Sequence, residues 1–103
     1  MSCLSYNHFF ETIANKTRLN ILQILIEGDL SVSEICIKLN EEQSKVSHNL
    51  KILLDCNFIS VRQEGKKRIY SVNKETILPL MDLVKKHISS YCKICKKRQV
   101  IGN

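Results

Sequence analysis

The amino-acid sequence predicts a mainly α-helical fold that carries one two-stranded β-hairpin. Apolar residues recur at helical spacing in several stretches of the chain, and short polar breaks separate these stretches. Two strand-like segments in the second half flank a turn centred on Gly65. The chain has 103 residues, which is the length of one domain, and its hydrophobic fraction of 44% is enough for a single core.

The first two predicted helices are apolar along one side or almost throughout. Residues 4–14 predict a short amphipathic helix, because their apolar positions follow helical spacing: Leu4, Phe9, Phe10, Ile13 and Ala14. The second helix is nearly all apolar and is expected at the centre of the core, with Leu19, Ile21, Leu22, Ile24, Leu25 and Ile26. Gly28 is expected to end this helix, since Gly commonly follows the last helical residue.

The next two predicted helices form a helix-turn-helix pattern. Ser31 and Glu34 have the spacing of a capping box, which predicts a helix with the apolar face Val32, Ile35, Cys36 and Leu39. Asn40 follows and accepts a left-handed backbone at low cost. Residues 43–55 predict the next helix, with the core stripe Val46, Leu50, Leu53 and Leu54. Its other face is small, polar and basic, and the turn between the helices has about four residues, as in helix-turn-helix motifs.

A β-hairpin and a last helix complete the predicted architecture, a winged helix-turn-helix whose wing is the hairpin. Residues 58–62 and 68–72 are strand-like, and the turn between them is charged. Asn73 is expected to cap the last helix, and Pro79 to lie in its first turn. The apolar stripe of this helix is Leu80, Leu83, Val84, His87, Ile88 and Tyr91. We expect residues 1–91 to form the winged helix-turn-helix domain, and residues 92–103 a basic, cysteine-containing tail.

Positive charge is concentrated in the second part of the chain. The net charge is +6, made of −3 in residues 1–42 and +9 in residues 43–103. A one-sided basic surface attracts polyanions, nucleic acid first, although a solvated basic face without a partner is the alternative. No apolar run reaches the ~18 residues of a membrane span. The N-terminus has no signal-peptide pattern, so we expect a cytoplasmic protein without a membrane partner.

Three stretches of the sequence resemble the ArsR/SmtB family of small metal- and stress-responsive repressors. Residues 14–22 are similar to the opening of the family, with Lys16 where a proline is usual. Residues 43–53 resemble its recognition helix, and residues 62–70 resemble its wing. Glu41 and Glu42 depart from the pattern, because an apolar residue and a Ser or Asp cap usually stand there. The resemblance implies a DNA-binding transcriptional repressor that forms a homodimer through its terminal helices.

The resemblance and the helix geometry together identify candidate DNA-contact residues. A recognition helix enters the major groove with its N-terminal half. The candidates on this helix are Gln43, Ser44, Lys45, Ser47, His48, Asn49 and Lys51. The wing candidates, for the backbone or the minor groove, are Arg62, Lys66, Lys67 and Arg68. A two-fold dimer sets its recognition helices one DNA turn (~34 Å) or a multiple apart, so the duplex operator is expected to be an imperfect palindrome.

Five cysteines in a chain without an export signal are expected to be free, metal-binding or redox-active. Cys92 and Cys95 form a C-x-x-C pair among basic residues that favour the thiolate. In a symmetric dimer, Cys3 from a neighbouring N-terminal segment would add a ligand. Thiolates bind soft metals or metalloids such as arsenite, zinc or cadmium, and they also oxidise. Three hypotheses stay open: metal or metalloid sensing, redox switching, and no sensory role. Cys36 is expected in the core, and Cys56 is expected to be a buried or spare thiol.

Other functional classes fit the sequence less well. An enzyme is not indicated, because the chain has no phosphate-binding Gly loop, no nucleophile–base pattern and no complete metal site. Asp82 and His87 do not match the spacing of the second metal site of the family, so no zinc is placed there, and no cofactor is required. A winged-helix protein-interaction module is the main alternative, against which the basic recognition face argues. A second alternative is a DNA-binding repressor without an effector.

Overall fold

The computed structural model describes residues 5–94, which form two compact units, residues 5–73 and residues 74–94. The predicted fold class is confirmed, since the protein is mainly helical with a small antiparallel wing. The first unit contains α1 (Tyr6–Ile13), α2 (Lys16–Glu27), β1 (Leu30–Ser31), α3 (Val32–Leu39), α4 (Gln43–Asp55), β2 (Ile59–Glu64) and β3 (Lys67–Val72). The second contains α5 (Ile77–Ser90). Each helix in this range is too short or too polar to cross a membrane.

The second helix, α2, lies at the centre of the first unit, as its apolar sequence predicts. Ile21, Leu22 and Leu25 are buried, and each such side chain contributes about 1.5–3 kcal/mol on burial. The helix begins three residues before its apolar pattern does, because Asn15 caps it. The Asn15 Oδ1 accepts a hydrogen bond from the backbone N–H of Arg18 at 3.0 Å. Gly28 follows the last helical residue, as predicted.

The capping box at the start of α3 is confirmed in both of its hydrogen bonds. The backbone N–H of Ser31 donates to Glu34 Oε1 at 2.8 Å, and the backbone N–H of Glu34 donates to Ser31 Oγ at 3.3 Å. Asn40 ends the helix in the left-handed region, with a φ of 54°. Residues 40–42 then turn the chain into α4, whose bounds agree with the predicted ones.

The wing belongs to a three-stranded antiparallel sheet with the order β1-β3-β2. In the hairpin, Ile59 pairs with Val72 and Glu64 pairs with Lys67. A two-residue turn with Gly65 at φ 63° connects the strands, and Gly accepts this backbone without strain. The strands therefore extend closer to the turn than the sequence indicates. The two-residue strand β1 was not predicted, and it pairs Leu30 with Tyr70.

The predicted cap of the last helix was wrong, whereas Pro79 lies in the first turn of that helix as predicted. Thr76, not Asn73, occupies the position before α5, and Pro79 is the third residue of that helix. The Asn73 side chain is used inside the first unit instead, where its Nδ2 donates to the backbone oxygen of Asn57 at 2.9 Å. Asn57 itself follows α4 with a φ of 60°. The amide thus stabilises a left-handed turn rather than the end of a helix.

Candidate nucleic-acid interface

The candidate interface is built on α4, a helix with one buried and one exposed face. Val46, Leu50 and Leu53 are buried, and they lie on one side because an α-helix turns once in 3.6 residues. The opposite side is exposed and carries small, polar and basic groups: Ser44, Ser47, His48 and Lys51. Gln43 and Lys45 are exposed beside this face. We call these six exposed side chains the α4 face.

Two acidic residues lie at the start of α4. Glu42 occupies the cap position, and its side chain makes no capping hydrogen bond in the described part of the chain. Glu41 lies 3.4 Å from Lys45, measured from Oε1 to Nζ. Lys51 makes a similar pair with Asp55 at 3.6 Å between Nζ and Oδ2. Exposed pairs of this kind contribute about 0–1 kcal/mol, so a phosphate competes easily for either lysine.

Asn49, one of the predicted DNA-contact residues, does not lie on the α4 face. Its side chain is only 6% exposed and is occupied at both ends. The Nδ2 donates to the backbone oxygen of Lys45 at 2.9 Å, and the Oδ1 accepts from Arg18 Nη1 at 3.0 Å. A base edge cannot reach this amide while both bonds are in place. The partner, Arg18, comes from α2, and no spacing within α4 signals the pairing.

The tip of the wing carries three exposed cations, Lys66, Lys67 and Arg68, as predicted from the sequence. The turn that presents them is supported by Gln63, whose Nε2 donates to the backbone oxygen of Gly65 at 3.1 Å. The guanidinium of Arg68 lies 5.9 Å from the centre of the Tyr70 ring, at the distance of a cation–π contact. The wing tip is therefore a short, ordered and positively charged projection.

Arg62, the remaining wing candidate, is engaged with protein groups. Its Nη1 donates to Asp29 Oδ2 at 2.7 Å and to Ser71 Oγ at 3.2 Å, and its Nε donates to Glu64 Oε2 at 2.7 Å. These bonds, to Asp29 first and Glu64 second, raise the pKa of Arg62 above its ordinary value. Arg62 thus ties the hairpin to the loop after α2, and its charge is compensated by two carboxylates.

The cysteines are not gathered into a site within residues 5–94. Cys36, Cys56 and Cys92 are half-buried, and none of the described cysteines forms a disulfide. No group of three or more potential metal ligands occurs among the described residues. Cys3 and Cys95, the partners predicted for Cys92, lie outside them.

Comparison with known proteins assigns this fold to a family of regulators. The model of the family "Bacterial regulatory protein, arsR family" matches residues 15–61. A Streptomyces lividans protein named "Probable mercury resistance operon repressor" is 35% identical over 77 residues, which are 75% of this chain and 62% of that protein. The HTH-type transcriptional regulator Rv0081 of Mycobacterium tuberculosis is 33% identical over 79 residues, 76% of this chain and 69% of the relative.

This chain belongs to the ArsR family. The crystal structure of Rv0081 agrees, with a TM-score of 0.79, 28% identity and coverage of 91% of this chain and 92% of the other. A homodimeric winged helix-turn-helix DNA-binding domain from Mycobacterium bovis has a TM-score of 0.71 at 27% identity, covering 79% of both chains. The ArsR-family protein described here is accordingly a DNA-binding transcription regulator and not an enzyme.

Proposed function

We propose that this ArsR-family protein binds an imperfect palindrome in duplex DNA as a cytoplasmic homodimer and represses transcription from it. In this proposal the α4 face enters the major groove, where Ser44, Ser47 and His48 meet base edges. Lys45 and Lys51 neutralise phosphates beside the groove, and Gln43 contacts the edge nearest the start of the helix. The observation that carries the proposal is the division of α4 into a fully buried stripe and an opposite, exposed polar face.

The wing tip supplies the second contact in this proposal. Lys66, Lys67 and Arg68 are consecutive and exposed, and they form no salt bridge with another residue in the range 5–94. Each cation that neutralises a phosphate releases condensed counterions, which makes binding salt-dependent. Arg62 is assigned to the support of the wing, and Asn49 to the support of α4, rather than to DNA.

Exposed apolar side chains on both terminal helices support the homodimer. On α1, Tyr6 is 87% exposed and Phe10 is 52% exposed. On α5, Leu83 is 65% exposed and Val84 and Ile88 are exposed as well, as is Tyr91 directly after the helix. Large apolar side chains exposed on a helix mark a candidate protein–protein contact, and each of these two helices carries such side chains. The homodimeric M. bovis relative is consistent with this assignment.

The proposal also includes an effector that acts on thiols of the protein. Cys92 and Cys95 form a soft, basic-flanked pair, and one relative is named for mercury resistance. We propose that binding of a soft metal or metalloid, or oxidation of the pair, releases the protein from its operator. The ions to test are arsenite, zinc, cadmium and mercury(II).

DNA binding is tested by fluorescence anisotropy with the duplex upstream of its own gene and a scrambled duplex. We expect Lys51→Ala and the double variant Lys66→Ala/Lys67→Ala to weaken both complexes. Each lost phosphate contact should lower the slope of log K against log salt by about 1. Lys85→Ala, which removes an exposed lysine outside the α4 face and the wing, is the matched control. Equal slopes for all variants would contradict the proposed contact surface.

The effector is tested with the same operator complex. We expect one of the ions or a mild oxidant to lower affinity at least tenfold, a coupling of at least ~1.4 kcal/mol. Cys92→Ser and Cys95→Ser should abolish that response. Cys36→Ser serves as the control, since it removes a half-buried thiol outside the pair. A response that survives in both test variants would exclude the C-x-x-C pair, and binding that no agent changes would favour a repressor without this effector.

A further inference from the structure

Arg18 joins three helices of the first unit through one planar side chain. Its Nε donates to the backbone oxygen of Thr12 in the last turn of α1 at 2.7 Å. Its Nη1 donates to Asn49 Oδ1 on α4 at 3.0 Å. Arg18 itself lies in the first turn of α2, where its backbone N–H is held by Asn15. One guanidinium therefore fixes the end of α1 and the middle of α4 relative to the start of α2.

At the end of α1, Arg18 provides a hydrogen-bond donor and a positive charge. The last carbonyls of a helix have no partner within the helix, and a cation there is favourable because of the helix dipole. The last turn of α1 contains no basic residue, so Arg18 provides the charge from α2. Thr12 is held firmly in this position, since it is buried and its Oγ1 donates to the backbone oxygen of His8 at 2.8 Å.

The α4 end of the link fixes the orientation of an amide. The Nδ2 of Asn49 donates to the Lys45 carbonyl one turn earlier, which leaves Oδ1 directed at Arg18. The opposite orientation of the amide would place a donor against the guanidinium and an acceptor against the carbonyl, so only one arrangement is compatible with both neighbours. The bond is directional, in contrast to the hydrophobic burial of Val46, Leu50 and Leu53.

We infer that Arg18 and Asn49 are positioning residues for sequence-specific DNA recognition, an inference that rests on the proposed role of α4. They touch no DNA, and they act by setting the tilt of α4 and the depth to which it enters the major groove. A hydrogen bond to a base edge needs a donor–acceptor distance of about 2.7–3.2 Å. Attraction to phosphate changes slowly with distance and carries no sequence information. Loosening the link should therefore impair discrimination between sequences before it impairs binding to any DNA.

The experiment measures the ratio of affinities for two duplexes with the full-length protein. One duplex is selected by the wild-type protein from a random pool, and the other is scrambled with the same composition. We expect Asn49→Ala to lower the affinity ratio about tenfold, which corresponds to ~1.4 kcal/mol of lost discrimination. Arg18→Lys should lower it as well, because one ammonium cannot reproduce the two-point contact of the guanidinium. Affinity for the scrambled duplex and its salt dependence should not change, since neither variant alters net charge.

Two further variants separate positioning from general destabilisation. Asn49→Asp loses the bond to the Lys45 carbonyl but keeps the acceptor that Arg18 uses, now as a carboxylate paired with the guanidinium. It should retain the affinity ratio to within a few-fold, while its added negative charge weakens binding to both duplexes. Asn73→Ala removes another asparagine bond from Nδ2 to a backbone oxygen at 2.9 Å, away from the link to α2. It should lower the melting temperature while leaving the affinity ratio unchanged. Circular dichroism checks that each variant is folded. If Asn49→Ala does not fold, Arg18→Lys alone tests the positioning role.

The outcomes distinguish this inference from the proposed function. A wild-type ratio near one would contradict sequence-specific binding itself, and the inference would fall with it. A high wild-type ratio that Asn49→Ala and Arg18→Lys both retain would overturn the positioning role alone. An equal fall in Asn49→Ala and Asn73→Ala would also overturn it, because the loss would then follow stability. A fall confined to the variants that break the Arg18–Asn49 bond, with Asn49→Asp spared, would support it.

Discussion

The two helices of the helix-turn-helix begin in opposite ways. At the start of α3, Ser31 and Glu34 satisfy each other's backbone N–H groups at 2.8 and 3.3 Å. At the start of α4, the Glu42 side chain forms no such bond within residues 5–94. The residues of α3 thus satisfy the backbone N–H groups at its own start. In α4, the N–H groups of the first turn have no such side-chain partner in that range and stay available to a ligand. Free N–H groups at a helix start favour an anion such as phosphate, which agrees with the proposed contact.

The two helices also differ in how they are held by the core. Within the described residues, α3 buries Ile35 completely, and α4 buries Val46, Leu50 and Leu53. A helix without a capped start gains its stability from tertiary packing rather than from its own ends. We therefore expect α4 to depend on its buried stripe and α3 to depend more on its cap.

The largest expected effect comes from the buried stripe of α4. Leu53→Ala should lower the free energy of unfolding by about 2–5 kcal/mol, because it leaves a cavity beneath a fully buried side chain. Ser47→Ala on the exposed side of the same helix should change it by less than ~0.5 kcal/mol. Urea denaturation measures both values. Similar effects of the two substitutions would contradict the division of α4 into two faces.

The next effect tests the cap of α3. Ser31→Ala should lower the free energy of unfolding by about 1 kcal/mol, since the N–H of Glu34 loses its acceptor. Ser33→Ala is the matched control, because Ser33 is exposed inside the same first turn and is not the cap. Thermal denaturation followed by circular dichroism compares the two. An equal loss in both variants would show that the capping box adds nothing beyond helix propensity.

Adding a cap to α4 should remove the difference between the helix starts. Glu42→Ser should raise the free energy of unfolding by roughly 0.5–1 kcal/mol, because Ser accepts from the first-turn N–H groups where Glu does not. It should raise DNA affinity by less than Glu42→Gln does, because the lost negative charge favours binding whereas the new cap occupies an N–H group that is available to phosphate. Glu42→Gln removes the charge without adding a good cap, so it should raise the affinity for DNA and leave the free energy of unfolding unchanged. A stability gain in Glu42→Gln equal to that in Glu42→Ser would refute the capping explanation.

The smallest expected effect is a pH dependence at the α3 cap. Hydrogen bonds from the Ser31 backbone first, and from its side chain second, lower the pKa of Glu34 below its ordinary 4.5, with added attraction from Lys67 and Lys38. A carboxylate with a lowered pKa stabilises the folded state at neutral pH and loses that contribution as the pH falls through 4.5 and below. The melting temperatures of wild type and Glu34→Gln should therefore converge at acid pH. A constant difference across this range would contradict the assignment.

Local patterns in the sequence predict most of this fold. The spacing of Val46, Leu50 and Leu53 defines the bounds and both faces of α4, and Ser31 with Glu34 defines the start of α3. The wing tip follows from Gly65 and the flanking strands. These features depend on residues a few positions apart, so the information that specifies them is present in a short window. The sequence resembles the ArsR family in three such windows, and the family model matches residues 15–61, a range that contains the second window and all but the first residue of the first window.

Features that join distant segments were not predictable in this way. The bond from Arg18 to Asn49 links positions 31 residues apart, and the pair of Asp29 with Arg62 links positions 33 apart. A helical wheel places Asn49 beside the buried stripe, but only the packing of α2 decides that its amide is enclosed. The strand β1 is two residues long, which is too short for an alternating pattern. In each case the folded neighbours, rather than the local sequence, select the role of the residue.

The separation of the two faces of α4 has a consequence for the history of such regulators. Substitutions on the exposed face leave the buried stripe intact, so they cost little stability and stay above the threshold that folding requires. After gene duplication, two copies of this chain would be free to acquire different operators through a few changes at Ser44, Ser47 and His48. One scaffold would then diversify into a set of regulators that respond at different promoters while keeping a common interior.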